Sequence, residues 1–178
     1  MRTREEGLKL DQKYYEVILK SDNLSLVPLT GADARDLFPV LNDARLHRFI
    51  GDAPVASEEH LRERYESLES RHSPDGSELW LNWVLRKRIG NAAVGTVQAT
   101  VRGDVAEVAW VVGTTWQGKG YAKEAVSALV SWLFGIGVET TVAHVHPQHV
   151  ASARVAAAAG LEQTGDIVDD EIVWRLSR

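Results

Sequence analysis

Residues 79–86, 93–101 and 105–112 are runs rich in apolar and β-branched side chains bounded by turn residues, so each predicts a strand. Arg102-Gly103-Asp104 joins the last two as a hairpin, which makes this centre an antiparallel meander. Leu24, Leu26 and Val27 predict a shorter strand ended by Pro28, and residues 140–146 and 172–176 predict two later ones. Helical spacing covers residues 33–41 and then residues 57 to about 70, where Ser57 is the N-cap and Glu58 and Glu59 place negative charge in the first turn. The composition of Ser73-Pro74-Asp75-Gly76 predicts a turn. Ala122, Val126, Leu129, Val130 and Leu133 recur at intervals of three and four, one buried stripe on a helix over 121–134 that Gly135 and Gly137 break. A second, alanine-rich helix begins near His149 and stops at Gly160, a residue able to take the left-handed closing conformation.

With 178 residues the chain suits one domain. Residues 1–16, polar apart from Tyr14 and Tyr15, read as an N-terminal extension, and residues 17–178 as the domain itself. No apolar run approaches the roughly 18 to 20 residues of a membrane span, so no membrane association is expected. No apolar segment follows Met1-Arg2-Thr3-Arg4-Glu5-Glu6, so no secretory signal is read and a cytoplasmic location is expected. The absence of cysteine excludes a thiol nucleophile, a disulfide framework and thiolate metal ligands. A formal net charge of −5 argues against a nucleic-acid partner and favours a cationic one.

Candidate chemistry concentrates at Gln117-Gly118-Lys119-Gly120-Tyr121-Ala122, between an apolar strand and a helix. Glycines there let several N–H groups converge on one point, where the helix N-terminus adds partial positive charge, and a phosphate fits. Lys123 occupies the third glycine position of G-x-G-x-x-G, and no P-loop pattern can be written around Lys119, so the motifs argue against a dinucleotide fold or P-loop. From these six residues alone, a turn capping an ordinary helix explains the pattern equally well.

The loop Q-x-x-G-x-A resembles the pyrophosphate-binding loop of the GCN5-related N-acetyltransferase (GNAT) superfamily. Downstream, His149-Val150-Ala151-Ser152-Ala153-Arg154 with Gly160-Leu161 is similar to the superfamily's N-x-x-S-x-R and G-F segment, with His149 at the asparagine and Leu161 at the phenylalanine position. Upstream, residues 18–29 followed by Thr30-Gly31-Ala32-Asp33-Ala34 resemble the branch containing the ribosomal-protein N-terminal acetyltransferases. The resemblance covers about residues 18–176.

It implies an α/β (α+β) GNAT fold: a mixed, mostly antiparallel sheet flanked by helices and splayed between the fourth and fifth predicted strands, those ending at Val112 and His146. It implies acetyl-CoA as co-substrate, held by the backbone of Gly118, Gly120 and Ala122 within the loop of Gln117, Lys119 and Tyr121. Lys119, Lys123 and Arg154 would lie near the phosphates, and a bulge in the strand 105–112 would turn the backbone of Val111 and Val112 toward the pantetheine arm. His149 would bond that arm, Glu107 would be the general base, and Ser152 would donate to the leaving thiolate. The tyrosine acid that many members place four residues after the serine is Ala156 here.

From the residues alone, Glu107 shares a strand face with Val105, Ala109 and Val111, where it either serves an open cleft or is a solvated carboxylate paired with an arginine. His144, His146 and His149 could be written as zinc ligands, but no nearby carboxylate completes the set and Pro147 interrupts it, so no metal is expected. His146 is a candidate for the acceptor cleft. The six tryptophans read as core, with Trp80 or Trp83 able to flank an acceptor.

The implied reaction is direct attack of an amine on the thioester. At pH 7.5 an α-amine is roughly 40% neutral and a lysine about 0.1%, so an α-amine of a peptide or small molecule asks less of a single base. A non-catalytic acyl-CoA sensor or a plain nucleotide-binding protein would use the same loop, and a homodimer stays open.

Overall fold

The computed structural model describes residues 14–49 and 53–178, so most of the expected extension lies outside the described residues. Its last residues pack on the core, where Tyr14 meets Trp132 edge-on and Tyr15 joins it, and the domain's first residue, Val17, accepts from the Trp83 indole at 2.9 Å.

Eight strands form one sheet: β1 (Leu19–Lys20), β2 (Leu24–Pro28), β3 (Leu79–Lys87), β4 (Ala93–Arg102), β5 (Val105–Val112), β6 (Thr140–Val145), β7 (Glu162–Val168) and β8 (Glu171–Ser177). Their order across the sheet is β1-β2-β3-β4-β5-β6-β8-β7, with every pair antiparallel except β5 and β6. Four helices flank it: α1 (Ala34–Leu41), α2 (Glu58–Leu68), α3 (Tyr121–Gly135) and α4 (Val150–Ala158). The Ser57 hydroxyl caps α2 by accepting from the His60 N–H.

Two elements escape the sequence pattern. Strand β7 is read as no element because Glu162, Gln163, Thr164, Gly165 and Asp166 lack apolar alternation; its backbone pairing to β8 holds it. The hairpin turns at Asp169 and Asp170, whose φ angles of 49° and 64° are those of the two-residue turn matched to strand twist. Strand β1 is too short to leave a period.

Alternation assigns the sheet two different faces. Leu81, Trp83, Leu85, Val97, Ala99, Val101, Ala106 and Val108 point into a core closed by Ala125, Val126, Leu129 and Leu133 of α3. On the other face, α1 and α2 cover Val84 with Leu37, Leu61 and Tyr65, and α1 reaches on over Ala93 at the start of β4 and to Gly113 just past the end of β5. A buried pair secures this layer: Arg86 meets Asp33 at 2.6 Å and Asp36 at 2.9 Å, while Asp33 also accepts from the Thr30 N–H and hydroxyl. Across β4 and β5 the same face carries Gln98, Thr100, Glu107 and Ala109, polar or small residues that remain open.

The bulge expected in the strand 105–112 is absent there. The β4–β5 ladder runs in unbroken register from Arg102↔Val105 to Gly95↔Val112. The irregularity lies one strand over, where Leu85 pairs with Gly95 and Arg86 with Ala93, leaving Val94 extra on β4. Gly95 is the compensating residue, since a Cβ built on it would stand 2.0 Å from the Val111 carbonyl oxygen. In a planar trans peptide N–H and C=O point in opposite directions, so the Val112 N–H faces away from Gly95.

A methyl group at residue 95 must therefore displace the end of β5. We expect Gly95→Ala to lower stability by about 1–3 kcal/mol, the usual cost of overpacking. Urea unfolding measures it, and an unchanged midpoint would mean that the Val111 peptide turns aside freely.

Candidate functional site

Strands β5 and β6 pair over three positions only, Val105↔Thr140, Ala106↔Thr141 and Glu107↔Val142. Past Glu107 the two part, although β5 stays laddered to β4 and β6 to β8 along their lengths. The facing edges of residues 108–112 and 143–145 thus border a wedge-shaped gap, lined by backbone groups that no strand pairs across it. A chain molecule with amide groups can bond to such edges as a strand would.

At the wide end of the gap the chain leaves β5 through a 3₁₀ turn (Thr114–Trp116) and enters α3. The Gln117 side chain turns back and donates to the Val112 carbonyl at 2.9 Å, which fastens the loop to the strand end. Gly118 and Gly120 have φ angles of 75° and 81°, left-handed values that side-chain-bearing residues resist. A Cβ on either would touch nothing within 4 Å, so dihedral strain alone demands glycine and the space above the loop is open. Gly120 is the N-cap of α3 and no side chain caps the helix, which leaves the first-turn N–H groups free for an anion. That donor set and that space fit a pyrophosphate.

Behind the loop, the Glu124 carboxylate accepts from the Ser21 hydroxyl, from the Asn23 and Leu24 N–H groups and from the Asn23 amide. Partial burial pushes this carboxyl up, but those bonds outweigh it and hold it below the ordinary value. The start of α3 is thereby fixed to the β1–β2 turn. Tyr121 and Ala122 pack on the core, Lys119 lies over the Trp116 ring at 4.9 Å, and Lys123 and Arg154 are exposed.

On the opposite arm, β6 ends at Val145, one residue short of its expected end, and His149 becomes the N-cap of α4. Its Nε2 stands 3.5 Å from the Ser152 hydroxyl, and its ring stacks on Phe49 with centroids 4.5 Å apart and planes inclined by 17°. Phe49 also meets His146 at 5.2 Å. Nothing in the polar segment around Phe49 marks it in the sequence. Residues 43–49 form a strap: at its start Asp43 accepts from the Thr114 hydroxyl at 2.6 Å and from Arg45, and at its end Phe49 covers His149. Arg45 and then Thr114 hold the Asp43 carboxyl far below the ordinary carboxylate range. Ala156 is wholly buried against α3 and the sheet, so this helix face has room for no larger residue there.

Glu107 occupies the narrow end of the gap. Its carboxylate lies 3.6 Å from Arg102 Nη1 and 3.7 Å from His144 Nδ1 and is 43% exposed. Apolar surroundings, inferred from strand alternation, are therefore replaced by a guanidinium and an imidazole on the open sheet face. Arg102 in turn donates to Glu78 at 2.6 Å, which also accepts from the Trp80 indole at 2.8 Å. Trp80 flanks this open face, whereas Trp83 is core. Arg102 and Glu78 went unnoticed because the hairpin reading absorbed the first and nothing singled out the second. Among the described residues no three His, Asp or Glu side chains gather as a metal-ligand set.

Burial, and secondarily the charge of His146, lowers the His149 pKa below its ordinary 6.5. The unfolded chain then binds the extra proton first as pH falls. His149 thus contributes stability fully above about pH 6.5, and the contribution is lost as pH drops through the lower folded value. NMR titration should place the His149 midpoint below 6.5, and Phe49→Ala, by wetting the ring, should raise it. A midpoint unmoved by Phe49→Ala would mean that the stack does not shield the imidazole.

The sequence matches the family model of the GNAT acetyltransferase domain over residues 23–162. Among solved structures, it is similar to a GNAT-family acetyltransferase from Bacillus anthracis at 19% identity, with a TM-score of 0.74 over 90% of this chain and 98% of that one. Similarity to a ribosomal-protein-S5-alanine acetyltransferase from Vibrio fischeri is 19% in identity and 0.76 in TM-score, over 90% of this chain and 96% of that one. A ribosomal L7/L12 α-N-protein acetyltransferase in complex with coenzyme A gives 17% and 0.75 over 90% and 98%. None of the curated proteins matches the sequence. No helix among the described residues is long and apolar enough to cross a membrane. With most of the chain under the family model, and the splayed sheet and glycine loop in their expected order, the chain belongs to the GNAT acetyltransferase family.

Proposed function

We propose that the protein moves an acetyl group from acetyl-CoA to a primary amine by direct attack, with the α-amine of a peptide or small molecule as the favoured acceptor. One observation carries the reading: the gap between β5 and β6 joins an uncapped helix N-terminus at its wide end to a half-exposed carboxylate, Glu107, at its base.

In this reading the N–H groups of Gly118, Gly120 and Ala122 bind the pyrophosphate, and the backbone of Val111 and Val112 holds the pantetheine arm. Acetyl-CoA supplies a thioester carbonyl as the electrophile. The Val112 N–H, turned away from Gly95, is a donor for the oxygen that gains charge during attack, a contact worth about 3 kcal/mol in comparable sites. Glu107, steadied by Arg102, takes the proton from the attacking amine directly or through one water. Ser152, within reach of His149, gives a proton to the departing sulfur. Similarity to an α-N-protein acetyltransferase and to a ribosomal-protein-S5-alanine acetyltransferase supports the α-amine. So does the larger neutral fraction of α-amines near neutral pH.

Glu107→Gln should keep coenzyme affinity by calorimetry while lowering turnover about 10²- to 10⁴-fold, the usual contribution of one general base. Wild-type rates across pH 6 to 9 would assign Glu107 a structural part only.

Peptides with free N-termini should release coenzyme A about 10²-fold faster near pH 7.5 than peptides blocked at the N-terminus and offering only lysine, following the ratio of neutral amine. Equal rates would overturn the α-amine preference.

A further inference from the structure

Beside Glu107 the open sheet face carries a cavity of about 190 Å³, bordered by Arg64, Leu68, Trp80, Asn82, Gln98 and Thr100. Register links it to Glu107 directly, since Thr100 sits opposite Glu107 on β4 and Trp80 sits opposite Thr100 on β3. A group held in the cavity is therefore part of whatever presents its amine to Glu107.

Two side chains there lack protein partners. Asn82 is 8% exposed, and among the described residues nothing hydrogen-bonds its side-chain amide. The amide is not sealed off, since it keeps solvent access where it borders the cavity, so its donors and acceptor are free to bond a ligand there. One acceptor and two donors on that amide match a peptide backbone group. Arg64 pairs with no carboxylate among the described residues. Helix α2 carries four glutamates, Glu58, Glu59, Glu63 and Glu66, yet the positions three and four away from Arg64 are His60, Leu61, Ser67 and Leu68. Arg62, by contrast, is engaged by Glu58 and Glu59. Glu78, the acid on the β3 side, is occupied by Arg102 and Trp80. The site thus offers a carboxylate to the amine at one end and an unpaired guanidinium at the other.

Spacing selects the ligand. From β5 to β3 is two strand spacings, about 10 Å, and an extended peptide advances about 3.4 Å per residue. With its α-amine at Glu107, such a peptide brings its second or third side chain to Arg64. We infer that the acceptor is a peptide N-terminus bearing an acidic side chain at its second or third residue, its backbone held by Asn82 and its carboxylate by Arg64. The inference rests on the reading of the protein as an amine acetyltransferase.

The test is acetylation of three peptides alike except at residues two and three, which are glutamate, glutamine or lysine. The glutamate peptide should exceed the glutamine peptide in kcat/KM by about tenfold or more, as charge-assisted bonds outdo neutral ones, and the lysine peptide should be poorest. Arg64→Gln should bring the glutamate-to-glutamine ratio to about one, and Arg64→Glu should favour lysine. Because Arg64 is a surface position, acetyl-CoA affinity by calorimetry confirms that each variant is folded. Equal rates for the glutamate and glutamine peptides, or a preference kept in Arg64→Gln, would overturn the inference while amine acetylation stands. Failure to acetylate any peptide, with acetylation of a small amine retained, would overturn the inference alone. Failure with every amine would overturn both.

Discussion

The parallel contact between β5 and β6 is limited to three residue pairs, and the site follows from that limit. Were the ladder complete, the two arms would satisfy each other's backbone groups and no gap would exist. Were it missing, the β6–β8–β7 half would have no sheet bond to the meander. Three pairs are enough to join the halves and few enough to leave the far ends apart. The ends then diverge under pressure from both sides: β5 is held to β4 up to Gly95, and β6 to β8 up to Ile172. Helix α3, seated on the core face and tied by Glu124 to the β1–β2 turn, positions the glycine loop at the wide end.

Much of this was legible in the chain because burial leaves a period. The meander strands are apolar runs of which β4 alternates, α3 shows its stripe, and Gly118 and Gly120 announce a left-handed turn. What escaped has no such signature. Strand β7 is exposed on almost every residue, so nothing sorted its side chains by face. Phe49 is one aromatic residue in a polar segment, and its stack on His149 joins positions a hundred residues apart. Glu107 was placed on its proper strand, but alternation describes one strand at a time. Arg102 comes to it from the neighbouring strand and His144 from β6, and only sheet order brings the three together. The bulge was misplaced for a related reason: the residue giving way to the Val111 carbonyl is Gly95, on the partner strand.

The two sheet faces divide the labour. One is a continuous apolar core in which Trp83, Leu85, Val97 and Val108 are sealed by α3. The other is covered over β2, β3 and the start of β4 but open across the middle of β4 and β5, and the uncovered part is polar because water or ligand must be able to reach it. Glu78, Arg102 and Glu107 run along this part as alternating charges. Two carboxylates sharing one guanidinium leave the floor a negative charge in excess, which favours an amine.

The strap of residues 43–49 turns the open wedge into a closed frame. One joint is the three-pair ladder at the apex; the other is the strap, fastened to Thr114 on one arm and lying against His149 on the other. A wedge held only at its apex can hinge, and its width is then whatever thermal motion makes it. A wedge also tied across its mouth behaves as a truss, in which the two arms cannot separate without a joint yielding. The weaker joint is the ring stack, an apolar contact of modest strength beside a charged hydrogen-bond cluster. The frame therefore has a defined point of yield, at Phe49, and the arms gain play there first.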